Sequence, residues 1–386
     1  MFRAVTSCGV SQLVRKLTRD SCARRLIYTD SYLGLTSVHA TQEEELLQLQ
    51  ERQNLMNLKS RIISSAEKGL LLSTDLYNIS IMAIDKDDLV VYKDIIIRFI
   101  ELNQDHKVSM LNAGNQINKF YQLCHLMNAA DIAMDLFKDD HVKKVFCMNN
   151  SIAGYSLLLL INLLFKSNKF SHIIQVYEEM DLSHLEKSYE APSIFHLFML
   201  ALVKMNQPEA FAQATVLMDT IMKVENPGEV GKGRYPYAWL ACMEERYAAA
   251  YEIVHHQPSK GQKKSLQTNM KLFTLLKMDK PVDTVSVLED IIKTTAEGPE
   301  RPNQQKPTLC KEVIQLLVAA AKDCRDDKLL SRLKIVFSKL DNAAEITDKS
   351  VEDLLFLPVD GGAGSNQRKR ETNLDDLRRR FKPKSE

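Results

Sequence analysis

Lys166-Ser167-Asn168-Lys169 stands between two apolar helical runs, and the chain carries two near copies of it, Lys204-Met205-Asn206-Gln207 and Lys277-Met278-Asp279-Lys280. The first two lie 38 residues apart and the last two 73, which is two units of about 36 with one degenerate copy between them. A period in the thirties with two helices per unit marks an α-solenoid, in which each unit buries its apolar face against its neighbours. Asn and Asp suit such turns because their short polar side chains tolerate the left-handed conformation that ends a helix. Pro208 and Pro281 then fall where a proline can start the next helix. Each unit therefore reads as helix, tight turn, helix, and the fold class is all-α.

Composition agrees. Of 386 residues 45% are hydrophobic, with 13 Gly and 11 Pro, which is enough for a continuous core and too little punctuation for an all-β fold. The longest apolar run, Leu157 to Phe165 with Asn162 inside it, is less than half of the ~20 residues that a membrane span requires, so no transmembrane segment is expected. The seven cysteines, at 8, 22, 124, 147, 242, 310 and 324, form no Cys-x-x-Cys pair and have no His spaced to complete a zinc site. They read as reduced thiols, and no metal or other cofactor is expected.

The net charge of +1 hides an uneven distribution. Residues 1–40 carry +4 and residues 358–386 carry +3, which leaves the body, 41–357, at about −6. Any nucleic-acid binding must therefore use a local patch. The first 28 residues are rich in Arg, Ser and Thr, with Leu13, Val14 and Leu17 on one helical face and Arg15, Lys16 and Arg19 on another. That is the pattern of a mitochondrial presequence, with processing expected near Tyr28 or soon after, and it places the protein in the mitochondrial matrix. From Pro358 the chain becomes a flexible basic tail, a Gly-rich linker followed by Arg368-Lys369-Arg370 and then Arg378, Arg379 and Arg380, a run able to touch phosphate.

Between the ends, 41–65 reads as a leading amphipathic helix and 66–294 as the solenoid. Unit one turns at Asp85-Lys86-Asp87-Asp88 and unit two at Met127-Asn128. The clearest unit, 154–188, carries Ile173, Val176, Tyr177 and Met180 as an i, i+3, i+4, i+7 stripe. The glycine-rich exit of unit four, 225–233, lacks the Gly-Lys-Ser/Thr ending of a phosphate loop and follows a helix, so it reads as an inter-unit loop. Unit five holds the single Trp239, its turn at Met243-Glu244-Glu245-Arg246 having lost the Asn. A last helical pair, about Leu309 to Leu340 with its turn at Asp323 to Asp327, makes up 309–357 together with an extension.

The segment from Phe165-Lys166-Ser167-Asn168-Lys169-Phe170 through Val176-Tyr177-Glu178-Glu179-Met180 resembles the second-helix signature of the pentatricopeptide repeat family, and 276–291 matches it a second time. Tetratricopeptide repeats would instead show a Trp/Leu/Gly/Tyr pattern in the first helix, absent here. The resemblance implies a mitochondrial protein of RNA maturation that supports the respiratory chain, its partner a single strand of mitochondrial RNA lying along the inner helices. It maps the base-reading position of the inner helix onto Ile117, Leu158, His196 and Asn269, and the partner position of unit three onto Ser188. Asn269 matches the polar residue that the family uses, whereas Ile117 and Leu158 have nothing with which to bond a base edge.

No nuclease-like Asp cluster or nucleophile set can be assembled from the sequence: Asp87-Asp88 and Asp139-Asp140 fall at unit ends, and His255-His256 sits in a polar helix end. The expectation is a noncatalytic RNA-binding solenoid, which could work with RNA-processing or ribosomal proteins. The alternative is a protein-binding adaptor in a mitochondrial ribosomal or respiratory assembly, favoured by the acidic body and the apolar reading positions.

Overall fold

Asn168, Asn206 and Asp279 take the left-handed conformation in the computed structural model of the chain, with φ of 57°, 48° and 56°. Glu245, at φ 58°, occupies the degenerate copy between the last two, and Asn128, at 49°, supplies an earlier one. These five are the non-glycine residues of positive φ among the described residues, and they recur at intervals of 34 to 40. Four of the turns close identically: the N–H after the left-handed residue reaches back five residues, as from Lys169 to Leu164 O at 2.9 Å and from Lys280 to Leu275 O at 2.9 Å. That pairing satisfies carbonyls that a helix end otherwise leaves bare. Asn206 uses the simpler form, its own N–H bonding Leu202 O at 3.2 Å.

The structure describes residues 27–52, 54–148, 150–180, 188, 190–222, 233–255, 262–297, 306–323 and 326–359. The first 26 residues, the inter-unit loop at 225–232 and the tail from 360, including Arg378, Arg379 and Arg380, lie outside them.

Among the described residues there are 18 helices. The leading region forms α1 (Val38–Arg52) and α2 (Leu55–Glu67). Unit one is α3 (Ser73–Met82) and α4 (Lys86–Leu102), and unit two is α5 (Lys107–Met127), α6 (Ala130–Phe137) and α7 (Asp140–Met148). Units three to six follow as α8 (Asn150–Lys166) with α9 (Phe170–Glu179), α10 (Ala191–Met205) with α11 (Ala210–Met222), α12 (Arg234–Met243) with α13 (Tyr247–His255), and α14 (Gln262–Lys277) with α15 (Pro281–Glu297). The chain then runs through β1 (Thr308–Cys310), α16 (Lys311–Asp323), α17 (Asp327–Ala343), β2 (Glu345–Thr347) and α18 (Val351–Leu355). The first helices pack in sequence, α5 on α8, α8 on α10, α10 on α12 and α12 on α14, so they form one layer of an all-α repeat solenoid.

Several details depart from expectation. The leading helix is broken at Asn54, whose side chain accepts the N–H groups of Met56 and Asn57 and starts α2 afresh. Asp85 likewise caps α4 rather than opening a four-residue turn. Pro281 is the first residue of α15, but Pro208 precedes α11 by two residues. Unit two has a third helix, α7. Leu309 belongs to a strand, and β1 and β2 pair in parallel, Leu309 opposite Ile346.

Helices α8 and α10 are buried nearly all round. Leu157 through Phe165, Asn162 included, is at most 6% exposed at any residue, and α10 is buried from Ser193 to Val203. An inner helix of an open solenoid would keep one wet face. Here that face is covered by the chain's own ends. The described fold begins at Ile27 and Tyr28, both fully buried, so it starts two residues inside the segment expected as presequence.

Candidate functional site

The expected reading positions fall on the layer of first helices: Ile117 on α5, Leu158 on α8, His196 on α10 and Asn269 on α14. All four are buried, His196 at 8% exposure and the other three fully. All four lie within the first-helix layer, and the surface of that layer is occupied.

Over units three and four the occupant is the segment 27–35. Tyr28 is held by Asn162 through two backbone bonds of 3.3 Å, its N–H donating to Oδ1 and its carbonyl accepting from Nδ2. The Tyr155 hydroxyl donates to Leu33 O at 2.6 Å, and in turn accepts from Gln122 Nε2 at 3.0 Å. The Tyr28 hydroxyl lies 3.0 Å from His196 Nδ1, and the Tyr32 hydroxyl 2.9 Å from Ser193 Oγ. Burial pushes the Tyr28 phenol well above the usual tyrosine range, so it stays protonated. Tyr155, Leu158 and Asn162 share one stripe of α8. A base at Leu158 or His196 would have to displace this segment.

Over unit six the occupant is the C-terminal region. The Asn269 amide donates to Ser265 O at 2.8 Å and to Thr308 O at 2.7 Å, while its Oδ1 accepts the Cys310 N–H at 2.7 Å. Those bonds fix the backbone of β1, which explains why a strand interrupts an otherwise helical chain. Helix α18 then packs on α12 and α14, and Phe356 lies 6.2 Å from the Phe165 ring. Lys204 bonds Glu352 at 2.9 Å and sits 3.9 Å above the Phe356 ring. The two ends meet where Val359 N–H donates to Ile27 O at 2.7 Å.

Ser188 is 4% exposed and packs against Gly154, where an added Cβ would overlap its hydroxyl. Its Oγ donates to Glu190 Oε2 at 2.8 Å and accepts the Glu190 N–H at 3.2 Å. It joins α8 to the start of α10, and only a glycine at 154 permits that approach.

Of the four described cysteines, Cys147 is exposed and the other three are buried. Burial pushes the thiols of Cys242 and Cys310 up to about 12 and raises Cys124 as well, which keeps them as unreactive thiols. Among the described residues no group of three or more His, Cys, Asp or Glu is placed to hold a metal ion, and no helix is long and apolar enough to cross a membrane.

The periodicity of the sequence singles out the inner-layer positions but carries no trace of what covers them. The available signal was Asn162, one amide in an apolar run, together with Tyr28 and Tyr32 just beyond the basic leader.

No family model matches the chain, and no solved structure does. It is 22% identical over 341 residues to pentatricopeptide repeat-containing protein 2, mitochondrial, of Xenopus laevis, an alignment covering 86% of this chain and 82% of that one. The protein of the same name from Pongo abelii is 21% identical over 354 residues with the same coverage. The one from Homo sapiens is 22% identical over 307 residues, covering 78% and 71%. The likeness is distant and runs along most of the chain.

Proposed function

We propose that the chain is a noncatalytic RNA-binding repeat protein of the mitochondrial matrix that acts in maturation of mitochondrial RNA and so supports the respiratory chain. The observation that carries this reading is the left-handed turn residue recurring every 34 to 40 residues between paired helices, in a chain similar to mitochondrial pentatricopeptide repeat proteins. The basic leader of residues 1–26 favours import.

Binding rests on phosphate contacts more than on base reading. Ile117 and Leu158 offer no hydrogen bond, and the Asn269 amide is fully engaged within the chain. Exposed cations such as Lys277 and Lys280, which flank the Asp279 turn, are available to a phosphate backbone, and the tail sequence adds the charges of Arg378, Arg379 and Arg380. Log affinity for a single strand should therefore fall with log salt at a slope of about −0.7 per phosphate contacted. The test is fluorescence anisotropy with a labelled oligouridine across salt concentrations. Replacing the three tail arginines with Ala should flatten the slope, and absence of binding at low salt would overturn the reading.

A second reading, a protein-binding adaptor, is favoured by the burial of all four reading positions, those of units three, four and six beneath segments from the chain's two ends, and by the acidic body.

A further inference from the structure

The segment Ile27–Leu35 is held as a bound ligand is held. Ile27, Tyr28 and Leu33 are fully buried and Leu35 is 3% exposed, although the segment forms no regular helix or strand of its own. Three internal backbone bonds, Leu33 N–H to Thr29 O at 3.0 Å, Gly34 N–H to Ser31 O at 3.3 Å and Leu35 N–H to Asp30 O at 2.8 Å, fold it into a turn. The other polar contacts described above come from α8, α10 and the C-terminal Val359. Asn162 is the instructive one, since a buried amide in an apolar helix is costly unless fully paired. Its carbonyl and amino groups meet the N–H and carbonyl of one strap residue, Tyr28, as a neighbouring strand would. Around them Tyr28 and Tyr32 pack ring to ring at 4.6 Å, and Tyr28 meets the His196 ring edge-on at 6.0 Å.

We propose that Ile27–Leu35 is an intramolecular strap that occupies the strand-binding side of units three and four, and that the chain must release it before a single-stranded ligand can reach His196 and the first-helix layer. The strap is anchored by polar contacts and seats Ile27, Tyr28, Leu33 and Leu35, while α8 and α10 also pack on each other and on the second helices, contacts that do not pass through the strap. It also bears on maturation. Ile27 accepts the Val359 bond, so a mature chain that keeps the seal begins at or before Ile27.

That the strap is displaced by RNA rests on the function proposed above; that it is docked on α8 and α10 does not. Two full-length variants test both. Asn162→Leu keeps an apolar helix and removes both side-chain bonds to the Tyr28 backbone, while Tyr155→Phe deletes only the hydroxyl on Leu33 O. Hydrogen exchange of the amides in 27–37 should be slow in the parent and faster in Asn162→Leu by about tenfold or more, with a smaller gain in Tyr155→Phe and unchanged protection in α9 and α11. Oligouridine affinity should rise in the same order. Parent amides in 27–37 exchanging as fast as an unstructured peptide would overturn the strap, as would equal protection in all three proteins. If the amides respond as expected while no form binds oligouridine, the strap stands and the RNA reading falls. Should Asn162→Leu also lose protection in α9, Tyr155→Phe becomes the deciding variant, and unaltered strap exchange in it would sink the proposal.

Discussion

Asn269→Ala separates a base reader from a structural amide. The side chain makes three hydrogen bonds within the chain, two of them to the backbone of Thr308 and Cys310, in a site with no solvent exposure. Truncation leaves the Cys310 N–H and the Thr308 carbonyl unpaired in the interior. Each buried polar group so stranded costs roughly 1 to 3 kcal/mol, so the variant should lose about 3 kcal/mol where β1 docks on α14. Trp239 is a local probe, the single tryptophan of the chain, on α12 and 5.4 Å from Phe273 of α14. Solenoids lose structure unit by unit, so the tryptophan signal should report units five and six rather than the whole molecule. With a local urea dependence of about 2 kcal/mol per molar, the midpoint should drop by about 1.5 M. The same variant should bind oligouridine and oligoadenosine in the parent's ratio. An unmoved tryptophan midpoint together with an altered base preference would refute the structural assignment and restore Asn269 as a reader.

Three further outcomes are expected. Burial lowers the pKa of His125, whose Nε2–H donates to Leu159 O at 2.7 Å, from 6.5 to about 3, so the unfolded chain takes up a proton below about pH 6.5 that the folded chain refuses until about pH 3. Stability is then full above 6.5 and falls as pH drops, by about 2 kcal/mol at pH 5, and His125→Gln should remove that slope in urea titrations at pH 7 and pH 5. Val176 is 1% exposed on α9, so Val176→Asp should cost about 4 kcal/mol by stranding a charge, and unchanged thermal unfolding would disprove its placement. A fluorescent fusion lacking residues 1–26 should stay in the cytosol, and sequencing of the imported full-length protein should find a first residue at or before Ile27.

What the sequence made legible were the local events. A left-handed turn residue is favoured by its own side chain, so Asn128, Asn168, Asn206 and Asp279 marked their turns before any packing was known. Glu245 has no such preference; the backbone bonds around it, Arg246 N–H to Ala241 O at 2.8 Å among them, impose the same shape. Asn54 was hidden because Leu-rich helix continues on both sides of it. Strands of three residues, β1 and β2, are too short to show alternation, and β1 is fixed by Asn269 from 39 residues away. The strap was the least accessible feature. Its amide partner Asn162 lies 134 residues from Tyr28, and nothing local in either stretch names the other. The expected reading positions therefore lie on first helices, as the repeat spacing implies, while their burial follows from contacts that no periodicity encodes.

Ultraviolet crosslinking of the protein in isolated mitochondria, with recovered RNA and recovered proteins quantified side by side, puts the RNA-binding function itself to the test. Mitochondrial transcripts should dominate the crosslinked material, and their recovery should fall when Arg378, Arg379 and Arg380 are replaced with Ala. Dominant recovery of one protein partner, with RNA at background, would contradict RNA binding and establish the adaptor.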